Sequence, residues 1–282
     1  MKHGILILFV LTLIFTSCNN KEPKQEMLTN NEVEAPFEQL MLPDTKAGAI
    51  VLKAIEQAGG WKQWKQKKTL SYVKRIQYYD SLGNKEKELE QVHQYQLQPT
   101  FKAKMSWIEN GDLYEILNNG VEAWKLKNGV VLTNEDDKKS AWNSSFGSHY
   151  VMCMPFKLAD KGTILEYEGI DTLANNQIVH AVKATYEKGA GSSGGLHTWW
   201  YYFDKDTYTP AANFLDYGDG YSYTAYVSFI DVDGLKINKQ RDGYNTSANR
   251  ELLDKRTEYI NENILFDEVL DEGVFTAKQR TE

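Results

Sequence analysis

Four histidines beyond the first few residues, His93, His149, His180 and His197, are the side chains of this sequence best suited to proton transfer or metal ligation. None of them forms a His-x-x-x-His pair, so the spacing of a helical zinc site is missing. His149 and Cys153 stand four residues apart and could share an ion, but two ligands without a third leave a core position as the expected role. Asp204-Lys205-Asp206 lacks the glycine and the terminal Glu of a calcium loop and reads as a turn. The glycine-rich run Gly189 to Gly195 has neither the Lys-Ser/Thr of a phosphate loop nor a helix to follow it, and fits a hairpin tip. A Gly-x-Ser-x-Gly elbow is also missing. What catalysis the residues allow is hydrolysis at a site assembled from dispersed groups such as His149, His197 and Asp204. No metal or cofactor is expected.

Binding chemistry is better represented. The run His197-Thr198-Trp199-Trp200-Tyr201-Tyr202-Phe203 alternates bulky rings onto both faces of any strand it forms, with Trp199, Tyr201 and Phe203 on one side and Trp200 and Tyr202 on the other. Both sides must be covered, or one must bind. Tyr217, Tyr221, Tyr223 and Tyr226 follow, and Trp107, Trp124 and Trp142 lie on or beside earlier strands. An incompletely filled sheet lined by such side chains would take an acyl chain, each buried methylene contributing about 0.8 kcal/mol. Trp199, Tyr201 and Phe203 are the expected cavity lining, with Trp124 and Tyr114 as additions. Cys153 sits in the apolar run Val151 to Phe156 and is expected to be a core residue.

The elements that would position these groups are one helix and a long meander. Ala49, Val51, Leu52 and Ile55 recur at helical spacing between Thr45, a capping residue, and Gly59-Gly60, a stop. From Thr69 the period changes to two, in runs such as Leu70–Tyr72, Ile76–Tyr78, Leu113–Ile116 and Ala181–Tyr186. Turn signals lie between them: Leu82-Gly83-Asn84, Asn110-Gly111, Asn118-Asn119-Gly120, Asn128-Gly129, Asp219-Gly220, Asp233-Gly234 and Asp242-Gly243. Their spacing predicts consecutive antiparallel strands closed or half closed into a barrel. Weaker helical stretches are expected around 144–158, and a loop or short turn at 249–256.

Composition narrows the function classes. The 282 residues carry 32 Lys and Arg against 39 Asp and Glu, a formal charge of −7, which leaves no basic surplus for nucleic acid. The amino terminus supplies an address. Lys2, the apolar run Ile5 to Phe15 and the small pair Thr16-Ser17 read as a signal peptide over residues 1–17, too short to cross a bilayer as a helix. Phe15-Thr16-Ser17-Cys18 resembles a bacterial lipobox, which makes Cys18 the expected lipidation site and the chain's anchor to the membrane. With Cys18 acylated, Cys153 is left without a disulfide partner. Residues 18–45 are polar, contain Pro23, Pro36 and Pro43, and read as a tether reaching about 30 Å if coiled.

Within residues 46–282, read as a single domain, the order of several motifs carries a family resemblance. It runs from Ala58-Gly59-Gly60-Trp61 through Thr69-Leu70-Ser71-Tyr72 to Tyr201-Tyr202-Phe203-Asp204-Lys205-Asp206-Thr207-Tyr208-Thr209-Pro210. Phe229 to Ile237, Ile264-Leu265-Phe266 and Leu270 to Phe275 complete it. The chain resembles a lipoprotein family of Bacteroidetes related to the lipoprotein localisation factor (LolA/LolB-like) superfamily. That resemblance implies a mainly β fold, an unclosed antiparallel β-barrel with an N-terminal helix and short helices on its concave side, whose apolar interior binds lipids or the acyl chains of lipoproteins. It also makes Asp80-Ser81-Leu82 and Asp171-Thr172-Leu173 similar to O-glycosylation patterns of such envelopes. The leading expectation is an outer-membrane-anchored envelope protein that binds a lipid or acylated protein. A packed module with an envelope protein partner, and the hydrolase, are the alternatives.

Overall fold

The computed structural model describes residues 40–192 and 194–277. The signal peptide, Cys18 and the tether lie outside the described residues. The first helix, α1 (Lys46–Gln57), is capped by the Thr45 hydroxyl, which accepts from the Gly48 amide at 3.2 Å. Ala47, Ile50, Val51, Ala54 and Ile55 are buried, the one-sided stripe of an amphipathic helix. Gly59 and Gly60 follow at φ +108° and +90°, which ends the helix before the short α2 (Trp61–Trp64).

Among the described residues, thirteen strands form one antiparallel sheet. The first wing is β1 (Thr69–Tyr79), β2 (Lys85–Gln96), β3 (Lys102–Glu109), β4 (Asp112–Asn118), β5 (Ala123–Lys127) and β6 (Val130–Val131). A long helix, α3 (Glu135–Met152), and a 3-10 turn at Phe156–Ala159 lead to the second wing. That wing comprises β7 (Thr163–Thr172), β8 (Ile178–Tyr186), β9 (Thr198–Asp204), β10 (Pro210–Asp216), β11 (Tyr221–Val232), β12 (Leu235–Thr246) and β13 (Leu252–Phe266). The wings join where β13 returns beside β1, so the order runs from β6 through β1 and β13 to β7. The edge strands β6 and β7 do not pair, and the barrel is unclosed. No described helix is long and apolar enough to cross a membrane.

The hairpin signals mostly mark real reversals. Asn110-Gly111, Asn128-Gly129 and Asp233-Gly234 each place two consecutive residues at positive φ, the twist a two-residue hairpin needs. Asp242-Gly243 is the exception. It lies inside β12, where Gly243 faces Thr257 of β13 so closely that a Cβ would come within 2.3 Å of the Thr257 hydroxyl, and the ladder shifts register just after it. The glycine there serves close approach of two strands rather than a turn. At 249–256 the chain turns only as far as Arg250 and then enters β13. The helix expected around 144–158 starts earlier, at Glu135, behind an Asn134 cap whose side chain accepts from the Asp137 amide.

Alternation along β1 puts Leu70, Tyr72, Lys74 and Ile76 on the concave face. On that face α1 and the stretch Tyr150–Leu158 pack with Tyr95 of β2, Val182 and Ala184 of β8, Trp199, Tyr201 and Phe203 of β9, and Leu235 and Ile237 of β12. Trp64 stacks on Phe156 at 4.8 Å. The convex face of the second wing carries its own cluster, in which Tyr202, Phe214 and Tyr223 are buried and Trp200 is flanked by the Arg250 guanidinium at 4.4 Å. Both faces of the aromatic strand are therefore covered.

The end of α1 is locked onto the sheet. The Lys236 amide donates to the Ala58 carbonyl at 3.0 Å, and a Cβ on Gly59 would lie 2.2 Å from the Gly234 carbonyl. Gly59→Ala adds a clash to an unfavourable φ and is expected to cost about 2 kcal/mol or more, read as a lower urea midpoint.

Candidate functional site

The concave face is not filled along its whole length. Past Tyr72, β1 continues with Lys74, Ile76 and Tyr78 on the same side, and there the face is roofed by α3 instead of α1. Cross-strand register sets Gln91 of β2 beside Lys74, Trp107 of β3 beside Gln91, and Tyr259 of β13 beside Ile76. Met105 and Ile116, paired on β3 and β4, floor the far end. Across from them α3 presents Ser140, Asn143, Ser144, Gly147 and Ser148, a stripe of small residues at helical spacing. Because these side chains are short, helix and sheet enclose a groove of about 430 Å³. That is within the range of small-molecule sites.

The helix is held to β3, β4 and β5 around this space. Ala141 packs with Met105 and Ile116, the Asn118 side-chain amide donates to the Ser145 hydroxyl at 3.0 Å, and Lys125 pairs with Asp137 at 2.8 Å. Further along, Tyr150 and Met152 enter the main core, and the Tyr150 hydroxyl donates to that of Tyr186 at 2.6 Å. His149 is buried against Phe101 and Tyr95, and burial holds it neutral, with its pKa pushed well below the ordinary histidine value.

Electrostatically the groove is one-sided. Lys74 is 8% exposed and Arg241 of β12 is 5% exposed, and neither has an ion-pair partner among the described residues. Both sit against one ring: Lys74 Nζ is 5.1 Å and Arg241 Cζ 5.3 Å from the centre of Tyr259. Burial, reinforced by the Arg241 charge, lowers the Lys74 pKa to about 7. No carboxylate lines the groove, and Lys125, its other lysine, is already neutralised by Asp137.

The residues expected from sequence to line a cavity fall in different places. Trp199, Tyr201 and Phe203 face the concave side but lie inside the packed core with α1, at 6%, 2% and 1% exposure. Tyr114 stacks on Trp107 at 5.6 Å, beside the groove's wall. Trp124 lines a separate cleft of about 480 Å³ between the β6 edge and the start of α3, with Val131 and Trp142. Cys153 is buried, and burial pushes its thiol up to about 12, the behaviour of a core residue. The dispersed hydrolytic groups are not brought together. His197 and Asp204 flank β9 at opposite ends, about 20 Å apart at about 3.3 Å per residue. Asp204 caps its own turn through the amides of Asp206 and Thr207 and accepts from Gln177, which lowers its pKa to about 2.

Sequence reasoning passed over Lys74 and Arg241. The signal for Lys74 is present in Leu70-x-Tyr72-x-Lys74-x-Ile76, where a lysine occupies an inward position of an otherwise apolar alternation.

No family model matches the sequence, and no curated protein matches it. Solved structures do match. A DUF1329 family protein from Desulfovibrio piger superposes with a TM-score of 0.51 at 12% identity, covering 82% of this chain and 97% of that one. A LolA superfamily protein from Nitrosomonas europaea aligns over 82% of this chain and 98% of its own, at 9% identity and a TM-score of 0.48. Such identities speak to fold alone. The unclosed barrel with helices across its concave face, implied by the order of motifs in the sequence, is the architecture observed, and the chain is similar in fold to the DUF1329 family protein.

Proposed function

We propose that this protein is an envelope lipoprotein, anchored to the outer membrane through Cys18 and a tether over residues 18–45, that binds a lipid, an acyl chain or an acylated protein in the groove between α3 and the concave face. The observation that carries the reading is the groove itself, about 430 Å³ between α3 and the sheet, lined by Ile76, Met105, Ile116 and Trp107 together with polar side chains of both elements. Apolar flooring of that kind stabilises an acyl chain without directed contacts, by about 0.8 kcal/mol per methylene. The reading is one of binding and not of turnover: His149 is buried and held neutral, and Asp204 is engaged in its own turn.

The test is native against denaturing mass spectrometry of residues 19–282, which include every described residue, secreted from a bacterial host and purified without detergent. A stoichiometric mass released on denaturation is expected. A clean apo mass that also takes up no added lipid overturns the reading and favours a packed module that meets a protein partner.

A further inference from the structure

Two buried cations without a counter-ion are unusual. Burying an ammonium or guanidinium carries a desolvation cost of several kcal/mol that an ion pair normally offsets in part, and a contact with an aromatic face supplies only about 1–2 kcal/mol. Elsewhere this chain follows the usual rule. Lys67 meets Asp233 and Asp267, Lys255 meets Asp242 and Glu258, and Arg250, beside the cleft on the convex face, is engaged by Glu168 and the Tyr202 hydroxyl. The Lys74 side chain makes no hydrogen bond among the described residues, and the Nε of Arg241 is buried without an acceptor. The pair sits where the groove is open, Lys74 on its wall and Arg241 behind the shared Tyr259 ring. The neighbouring groups are of the right kind to complete an anion's shell. Gln91 stands beside Lys74 on β2, and Ser144 and Ser148 are hydroxyl donors on the facing helix.

We propose that Lys74, backed by Arg241, is the binding site for the anionic head, carboxylate or phosphate, of an amphiphile whose apolar chain lies over Ile76, Met105 and Ile116. This rests on the groove under α3 being the ligand site. The charge arrangement specifies the ligand further: one oxyanion at the Lys74 end and a single apolar tail running toward β4. A neutral lipid would leave both cations unpaired, whereas an oxyanion accepts a charge-assisted hydrogen bond from the ammonium and removes the imbalance.

The experiment compares dodecanoate, dodecyl phosphate and dodecanol by calorimetric titration of delipidated protein, for the wild type and for Lys74→Met. At pH 6.5 at least one of the two anions is expected to bind about tenfold or more tighter than the alcohol, the worth of one hydrogen bond to a charged group. The better of the two identifies the oxyanion. In Lys74→Met, which keeps the side chain's length and apolar packing, that preference is expected to vanish while the alcohol still binds. Equal affinity of the wild type for anion and alcohol would overturn the head site but leave the groove standing. A preference that survives in Lys74→Met places the anion elsewhere and overturns it too. Failure of all three to bind removes the groove and the head site together. The wild-type comparison decides the matter even if the variant does not fold.

Discussion

Gly147→Phe is expected to abolish uptake of a long-chain amphiphile without unfolding the protein. Gly147 lies in the interior of α3 and lines the groove, and a Cβ built there meets nothing within 4 Å. An added side chain therefore enters open space instead of forcing the helix off the sheet. Glycine in a helix interior is also the least favourable residue short of proline, by about 0.8–1.0 kcal/mol relative to alanine. Gly147→Ala should raise stability by about that amount, a rise in Tm of roughly 2–4 °C for a domain of this size. In Gly147→Phe the ring takes up the space between α3 and Trp107, so the loss of affinity is expected to be a hundredfold or more, on the order of 3 kcal/mol, from several displaced methylenes. Native mass spectrometry reads the loss and thermal unfolding reads the fold. A folded Gly147→Phe protein that still carries ligand stoichiometrically would move the site away from α3. A glycine here is consistent with binding, since a stability-optimised α3 would carry alanine.

The physical reasons why parts of the structure could be read from sequence differ from element to element. Helix α1 was legible because cap, stripe and stop agree: Thr45, the Ala-Ile-Val face and Gly59-Gly60 all favour the same twelve residues. Hairpins at Asn110-Gly111 and Asp233-Gly234 were legible because positive φ at both positions is a local demand. Asp242-Gly243 offered the same letters for a different reason, the approach of Thr257 across the ladder, which is a nonlocal contact. The first half of α3, which opens Glu135-Asp136-Asp137-Lys138-Lys139-Ser140, was missed because so charged a run has no apolar period to detect. Further along, the small residues Ser144, Gly147 and Ser148 leave the groove open. The aromatic strand was expected either to be covered on both faces or to bind on one, and both faces are covered. Which elements cover it could not be read locally: α1 lies about 150 residues and Tyr150–Leu158 about 45 residues earlier in the chain.

Lys74 should also leave a signature in stability, opposite in sign to its effect on binding. Its folded-state pKa of about 7 lies below its ordinary 10.5, so between those values the unfolded chain holds a proton that the folded chain does not. Stability contributed through this group therefore rises with pH across that window, by at most about 1.4 kcal/mol per pH unit, and its cost is fully present below about 7. The groups facing Lys74 are Arg241 on β12, Tyr259 on β13, Tyr72 and Tyr78 on its own strand, His93 on β2, and the Lys125–Asp137 pair on β5 and α3. His93 is pushed well below its ordinary value by burial, and Tyr72 and Tyr78 are pushed up by burial. The difference in unfolding free energy between wild type and Lys74→Met isolates the lysine from the remainder. The variant is expected to be the more stable protein at pH 6.5 by a few kcal/mol, since a buried unpaired charge is exchanged for an apolar chain of similar length. That advantage should shrink steadily toward pH 10. Ligand reverses the order: an anion beside the ammonium raises its pKa, so affinity for an ionised ligand falls by up to tenfold per unit above about pH 7. A wild type whose stability difference from Lys74→Met is flat from pH 6.5 to 10 would mean that the lysine finds a counter-charge or water in solution, and the case for an empty anion site would fall with it.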